Sequence, residues 1–290
     1  MKATQAARQL NERMALKWAR LSLDFLPFAD VASPDLPLSR LLRLALFQVS
    51  VGMAYALMVG TLNRVMIVEL GLAAVIPGLL VGLHYGVQIT RPIWGHKSDT
   101  GRSRTHWILG GLALLAVSGT GAAATTLLFE QSVLAGIMAA IVAYILIGIG
   151  IGASGTSLLA LIAMKTAVEK RAAAATITWM LMITGIIVTS IVVGAQLDPY
   201  SHERLVAVTA ATGVVAFLIG IVGVAGMEAR PTVGASEERP AVAGFRESLR
   251  DVLDDREARL FTLFIFLSML AFATQDLILE PYAGLLFGMT

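Results

Sequence analysis

Long apolar stretches recur along almost the whole chain, and short polar connections separate them. Seven stretches have the length and composition of membrane-spanning helices: 41–63, 72–90, 106–128, 132–160, 172–196, 205–226 and 260–285. A helix that crosses the hydrocarbon core of a bilayer, about 30 Å thick, needs about 20 such residues at 1.5 Å each. The pattern therefore predicts an all-α polytopic membrane protein.

The first 35 residues carry a different pattern, in which apolar residues share one stripe of a helix and charges occupy its other faces. The stripe consists of Leu10, Met14, Trp18, Leu21 and Phe25. Residues 1–35 therefore predict a cytoplasmic amphipathic segment on the membrane surface, and a helix packed against another protein is the alternative. A secretory signal is not indicated, because the apolar run is short and no small-residue cleavage site follows it.

Lysine and arginine are distributed very unevenly between the two sides of the predicted membrane. Multi-pass proteins retain these residues in their cytoplasmic connections. Twenty of the 22 lysines and arginines fall on the side of the amino terminus, and only Arg64 and Arg204 fall on the other. The pattern predicts a cytoplasmic amino terminus. The net charge of +2 gives no reason to expect nucleic acid as a partner.

The longest polar connection, residues 228–259, separates six predicted spans from a seventh. Its stretch 245–260 predicts a charged surface helix with same-face pairs such as Arg250 and Asp254. Major facilitator transporters are built from two six-helix halves. The pattern predicts this fold, with an amino-terminal six-helix half at 36–227, an interdomain linker at 228–259, and the first helix of an incomplete carboxy-terminal half at 260–290.

The connection after the second predicted span, GHKSDTGRSR at 95–104, resembles the loop signature of the major facilitator superfamily. The residues that match are Gly95, Asp99, Gly101, Arg102 and Arg104. Glycine permits a tight reversal, aspartate caps a helix or holds an arginine, and the cations stay in the cytoplasm. The spacing from Asp99 to Gly101 is one residue shorter than in the usual signature, and a merely basic cytoplasmic turn is the alternative.

Three longer strings resemble the PucC family of bacterial membrane proteins. They are LPLSRLLRLALFQVSVGMAYALMVGTLNRVMIVELG at 36–71, LHYGVQITRPIWGHKSDTGRSRTHWILGG at 83–111 and QDLILEPYAGLLFG at 275–288. The resemblance implies the major facilitator fold, a place in the bacterial inner (intracytoplasmic photosynthetic) membrane, and a role in assembling light-harvesting antennae and handling bacteriochlorophyll. Members usually have twelve spans, so the seven predicted here indicate a truncated or incompletely represented protein.

Gly150, Gly152 and Gly155 spell the G-x-G-x-x-G fingerprint of dinucleotide-binding proteins. That fingerprint requires a strand before it and a soluble helix after it, whereas here it lies inside an apolar span. Small residues in such a place allow close packing of helices. The chain has no cysteine, and its four histidines lack the spacing of a metal motif. The sequence therefore gives no support for an enzyme.

His84 is an ionisable residue inside the second predicted span, where such residues are costly and normally face a partner. The resemblance to the PucC family implies bacteriochlorophyll as a cofactor. His84 would then be an axial ligand of its magnesium, with Tyr85 and Gln88 as hydrogen-bond donors to its carbonyl groups. The alternative is a buried neutral imidazole that is hydrogen-bonded to a neighbouring helix.

Charged residues also occur near the outer ends of the first and seventh predicted spans. Arg64 lies in the first, and Asp276 and Glu280 lie in the seventh. The two carboxylates share a helix face at i and i+4, where like charges repel each other unless a cation intervenes. In the major facilitator fold spans one and seven are neighbours. We therefore expect an ion pair from Arg64 to Asp276 or Glu280 that ties the two halves together.

The leading hypothesis for function is a non-enzymatic assembly factor. It would dock on light-harvesting antenna polypeptides or a reaction-centre complex within the lipid bilayer, and bind or deliver bacteriochlorophyll. A secondary transporter of a small solute or tetrapyrrole, working by alternating access, is the second hypothesis. A permanent structural subunit of a pigment complex is the third. Sparse polar residues in the first six spans argue against a hydrophilic substrate.

Overall fold

The computed structural model describes residues 38–101, 103–228, 245–268 and 271. The longer helices in these ranges are α1 Leu38–Tyr55, α2 Val75–Val87, α3 Arg91–Thr100, α4 Arg104–Gln131, α5 Val133–Lys165, α6 Arg171–Gln196, α7 His202–Val224 and α8 Phe245–Asp254. α1 continues in wider π-helical turns at Ala56–Leu62 and Val65–Glu69, and residues 256–268 are helical as well. The predicted all-α class is confirmed for the described part of the chain.

Five helical segments among the described residues are long and apolar enough to cross a membrane. They are Arg40–Glu69, Arg104–Gln131, Val133–Lys165, Val168–Gln196 and His202–Val224. These correspond to predicted spans one, three, four, five and six, which confirms a multi-pass helical membrane protein. Most of the seventh predicted span, and the whole predicted amphipathic segment, lie outside the described residues.

The second predicted span, 72–90, is not one continuous α-helix. Its helical part consists of α2 and a 3₁₀ turn at Gln88–Thr90, and α3 follows beyond it. α2 has 13 residues, which is about 20 Å of helix and less than the roughly 30 Å of a bilayer core. Pro92 accounts for the break, because it has no N–H to donate to the Gln88 carbonyl one turn earlier. The predicted span at 72–90 is therefore helical from Val75 to Thr90, and its last three residues are 3₁₀ rather than α-helical.

α5 contacts α2, α3 and α4, and glycines bring it close to each of them. A Cβ on Gly150 would stand 2.8 Å from the Gly111 carbonyl oxygen in α4, and a Cβ on Gly148 would stand 2.8 Å from the His84 carbonyl oxygen in α2. Gly152 faces the Trp94 indole in α3, at 3.3 Å. Gly148, Gly150 and Gly152 thus serve helix packing, as predicted for Gly150 and Gly152, whereas nothing lies within 4 Å of a Cβ on Gly155.

α1 packs against α6 and α7, and α4 also packs against α7. The crossing of α1 and α6 is as close as those of α5. A Cβ on Gly52 would collide with the Met182 carbonyl oxygen, and a Cβ on Gly185 would stand 2.6 Å from the Val49 carbonyl oxygen. Backbone therefore touches backbone on both sides of this helix pair.

α8 belongs to a second unit of the chain, which begins after Pro231. Within α8, Arg250 Nε lies 3.5 Å from Asp254 Oδ2, so the predicted same-face pair is confirmed. Both side chains are well exposed, and such a pair contributes little to stability. The domain boundaries given above stay predictions.

The contact between α4 and α5 is tested by Gly150→Ala. The new Cβ would meet backbone atoms, with Gly111 O at 2.8 Å and Leu115 N at 3.0 Å, and backbone atoms cannot rotate away as a side chain does. We expect the free energy of unfolding to fall by about 1–3 kcal/mol, seen as a lower thermal midpoint in detergent by tryptophan fluorescence. Gly155→Ala is the matched control, since nothing lies within 4 Å of its Cβ. An equal loss in both variants would contradict the packing explanation.

Candidate functional site

His84 lies on the face of α2 that is turned into the helix bundle, and its side chain is 1% exposed. Leu80 and Val81 are buried beside it on the same helix. The close approach of α5 at Gly148 covers the backbone of this turn. The predicted burial of His84 is therefore observed, at the contact between two helices.

The hydrogen bonds of His84 run along its own helix and not to a neighbouring one. Gln88 Nε2 lies 2.8 Å from His84 Nε2, and the Arg91 guanidinium donates to Gln88 Oε1. Because a guanidinium only donates, it holds the amide oxygen of Gln88 and turns the amide nitrogen toward His84. His84 Nε2 must then accept, and its hydrogen resides on Nδ1. Nδ1 lies near the Val81 carbonyl without a well-formed hydrogen bond to any described residue.

This arrangement does not present a free coordinating nitrogen of His84 to a tetrapyrrole. Nε2 is engaged by Gln88, and Nδ1 is enclosed. Gly82 and Gly86 give no access either, because residues two positions away in a helix point to the opposite side, and both lie on the exposed face. The role of His84 as an axial ligand stays a prediction. It requires that the hydrogen bond from Gln88 to His84 Nε2 be broken, so that this nitrogen is free to bind magnesium.

Tyr85 lies on the exposed side of α2, and its ring centre is 4.6 Å from that of His84. Gln88 is committed to His84 and Arg91. The two residues predicted to contact pigment carbonyl groups therefore lie next to His84, but only Tyr85 faces outward. No motif or spacing in the sequence singles out Arg91, whose side chain sets the orientation of the Gln88 amide.

The predicted loop signature is partly assembled around an ion pair. Asp99 Oδ1 lies 2.8 Å from Arg104 Nη2, so the aspartate holds an arginine and does not cap a helix. Gly101 ends α3, and a Cβ there would stand 2.8 Å from the Lys97 carbonyl oxygen. Gly95 lies within α3, where it faces Thr156 of α5. Arg102 lies outside the described residues.

Glu228, just after α7, binds the first turn of α4 from 123 to 125 positions away in the chain. Its carboxylate accepts hydrogen bonds from Ser103 Oγ at 2.5 Å, from Thr105 Oγ1 at 2.7 Å, and from the backbone N–H groups of Arg104 at 2.7 Å and Thr105 at 3.1 Å. A helix start carries unsatisfied N–H groups and partial positive charge. Glu228 supplies both the acceptor and the opposite charge.

These contacts change the acidity of Glu228. Burial by itself raises the pKa of this carboxyl. The hydrogen bonds from Ser103, Thr105 and the two backbone N–H groups outweigh burial and lower the pKa from 4.5 to about 2. The only sequence signal for this cap is an acidic residue at the end of one apolar run and two hydroxyl residues at the start of another.

The end of α7 is also held by Arg43 of α1, which donates to the carbonyl oxygens of Val222 at 2.7 Å and Ala225 at 2.5 Å. We call Arg43, Glu228 and their partners at the start of α4 and the end of α7 the α4–α7 clasp. It supplies acceptors for the orphan N–H groups of α4 and donors for the orphan carbonyls of α7.

The other side of the bundle carries a second polar cluster. His202 Nε2 lies 3.0 Å from Glu130 Oε1, and His202 Nδ1 lies 2.9 Å from the Tyr200 hydroxyl. Burial, with the charges of Glu69 and Glu130, raises the pKa of Tyr200 to about 12. Sequence reasoning missed this cluster, which joins the end of α4 to the start of α7.

Arg64 is exposed in the outer part of the first span, just before the second π-helical turn. Asp276 and Glu280, its predicted partners, lie outside the described residues. The ion pair between the two halves therefore stays a prediction.

Residues 61–290 match the family model described as PUCC protein. The chain belongs to the PucC family. The resemblance carried by the three strings is thereby confirmed. No solved structure matches the chain significantly.

Relatives in photosynthetic bacteria align with nearly the whole chain. A Rhodobacter capsulatus protein named bacteriochlorophyll synthase 44.5 kDa chain is 49% identical over 251 residues, which cover 87% of this chain and 58% of the relative. Protein PucC of Rhodovulum sulfidophilum is 36% identical, with 97% of this chain and 65% of the relative covered. Protein PucC of Cereibacter sphaeroides is 34% identical, with 96% and 63% covered. This PucC-family chain spans about three fifths of the length of these relatives.

The cap on α4 is tested by Glu228→Gln, which keeps the shape and removes the charge. We expect a loss of about 0.5–2 kcal/mol in free energy of unfolding at pH 7. Because the folded-state pKa is depressed, the charged cap stabilises fully above about pH 4.5 and loses its effect as pH falls toward 2.

The measurement is a pair of unfolding curves, for the natural chain and Glu228→Gln, across this pH range. The gap between them should be constant from pH 8 to about 5 and close below that. A gap that widens on acidification would show that Glu228 does not act through its charged form.

Proposed function

We propose that this chain is a non-enzymatic membrane assembly factor for bacterial photosynthetic light-harvesting complexes, and that it binds or delivers bacteriochlorophyll. The observation that carries the proposal is membership of the PucC family over residues 61–290. It is supported by a relative whose name refers to bacteriochlorophyll. Its partners would be light-harvesting antenna polypeptides or a reaction-centre complex, and its location the bacterial inner photosynthetic membrane.

Some hydroxyl groups buried in the spans are hydrogen-bonded within their own helices, as a non-enzymatic role allows, whereas those of Tyr144 and Ser157 have no partner among the described residues. Ser118, Thr125 and Thr178 are buried, and each donates its hydroxyl to a carbonyl three or four positions earlier in the same helix. These groups are therefore used inside the helices. The synthase name of one relative points the other way, so the proposal requires a direct test.

The major facilitator fold is part of the proposal, and the pattern of helix contacts supports it. α1 packs on α6 and α7, just as α5 packs on α2, α3 and α4, and α4 packs on α7. If spans one, two and three are exchanged with spans four, five and six, the contacts of span one with spans five and six become those of span four with spans two and three. The contact of span three with span six becomes itself. Inverted repeats of three helices within a six-helix half are a property of major facilitator transporters.

Secondary transport by alternating access is the second candidate, and the same internal repeat favours it. The buried chain from His84 through Gln88 to Arg91 is a further feature that a carrier would use. Uptake of a tetrapyrrole into vesicles containing the purified protein distinguishes this candidate from an assembly factor, which binds without net movement.

The proposed function is tested by purifying the chain in mild detergent from a photosynthetic host. We expect near-infrared absorption from bound bacteriochlorophyll and co-purification of antenna polypeptides. A preparation that carries neither would overturn the proposal. A preparation that carries pigment and also converts it chemically would replace the assembly role with an enzymatic one.

The same preparation tests His84. His84→Leu removes the lone pair and keeps the bulk, whereas Gln88→Leu frees Nε2 and leaves the imidazole in place. Axial ligation predicts less bound pigment in the first variant and no decrease in the second. If both variants lose pigment equally, the hydrogen-bonded pair acts on the structure of α2 and His84 is not a ligand.

The proposed orientation, with a cytoplasmic amino terminus, is tested with single cysteines, since the chain has none of its own. Thr100 and Glu203 are exposed at the two ends of the bundle. A membrane-impermeant maleimide added to spheroplasts should label Glu203→Cys and not Thr100→Cys, while lysis should expose both. The reverse pattern in intact spheroplasts would invert the topology.

A further inference from the structure

α6 and α7 follow one another in the chain, but both rest on α1 more than on each other. Val49 and Met53 of α1, beside its crossing with α6 at Gly185, line the bottom of the gap between α6 and α7. A cavity of about 360 Å³ lies in this gap. We call it the α6–α7 groove.

The walls of the groove are apolar along most of their length. The lining residues include Val49, Val188, Val192, Val208, Val215 and Ile219. Thr184 and Thr212 also line it, but their hydroxyls donate to the carbonyls of Met180 and Val208 in their own helices. At the outer end of the groove stands Gln196, the last residue of α6, with its amide exposed.

The length and depth of the groove define the shape of a ligand. From Thr184 to Gln196 the lining follows α6 over about 18 Å, from the middle of this spanning helix to its outer end. Its volume is near the lower limit of small-molecule sites, about 300–1,000 Å³. A long, thin hydrocarbon chain with a polar head near Gln196 matches these limits, whereas a broad rigid ring does not.

We propose that the α6–α7 groove binds the isoprenoid tail of bacteriochlorophyll. The inference rests on the proposed function, since that function brings the pigment to this protein. The β-branched side chains of the wall have restricted χ1 angles, so their methyl groups form a rigid, uneven surface. We expect the methyl branches of an isoprenoid tail to pack against this surface better than a straight acyl chain does. The groove shares no helix with α2, so this contact is independent of His84.

The test compares bacteriochlorophyll with bacteriochlorophyllide, which has the same ring but no tail. The full chain is placed in phosphatidylcholine nanodiscs, so that acyl chains compete in excess, and binding is corrected for uptake by empty discs. We expect bacteriochlorophyll to bind about tenfold more tightly, which corresponds to about 1.4 kcal/mol.

Two substitutions fill the groove, Val188→Phe on α6 and Ala211→Phe on α7. Each should remove the preference for the tail and leave the affinity for bacteriochlorophyllide unchanged. Ile187→Phe and Val214→Phe are matched controls, because these exposed residues lie next to the groove on the same helices but do not line it. Val188→Ala, which widens the groove, should keep the preference and shows that position 188 tolerates change.

The outcomes separate this inference from the proposed function. If the two pigments bind equally well to the unaltered chain, or if the filled variants behave like their controls, the tail does not occupy the groove, although pigment binding stands. If neither pigment binds, both the inference and the proposed pigment role are overturned.

Discussion

Contact between helix backbones at glycine is the constraint on which the rest of this bundle depends. In a bilayer the lipid tails are as apolar as leucine, so burial of apolar side chains does not drive helices together, and close van der Waals packing must do so. α5 meets this requirement on two faces, with Gly148 against α2 and Gly150 against α4. The positions of His84 and of the indole of Trp94 follow from these contacts. A larger residue in α5 would move the helix that carries the polar chain.

The ends of the helices impose a second requirement. The first N–H groups and last carbonyls of any helix need partners from outside it, and where α4 starts and α7 ends these partners come from distant parts of the chain. Glu228 serves α4, and Arg43 serves α7. Because Arg43 belongs to α1 and Glu228 directly follows α7, the α4–α7 clasp restrains the relative positions of α1, α4 and α7 along the bundle. The clasp thus turns a local hydrogen-bond requirement into a global restraint.

Apolar length was enough to predict five spans, because each must cross a bilayer of nearly constant thickness. It did not predict the 3₁₀ turn at Gln88–Thr90, which ends the α-helical part of the second predicted span. Burial of His84 followed from its place in an apolar run, but its partner did not: the bond goes to Gln88 on the same helix and not to a neighbour. The contacts of Glu228 with the start of α4 could not be predicted in this way, since hydropathy and spacing do not show which distant residues meet.

The hydrocarbon of the bilayer constrains the polar chain from His84 to Arg91 and the α6–α7 groove in opposite ways. In hydrocarbon a polar atom must find a partner within the protein, and Gln88 satisfies His84 by turning its amide according to the guanidinium of Arg91. An apolar gap contains no polar atoms that require hydrogen-bond partners, and a hydrocarbon chain of matching shape can fill it. Several polar atoms in the spans are hydrogen-bonded inside the protein, although Tyr144 Oη and Ser157 Oγ are buried without a partner among the described residues, and the surface of the groove is mostly apolar. Recognition of an amphiphile at that surface must then depend on the shape of its tail and on the few polar groups, such as Gln196, where the groove reaches the interface.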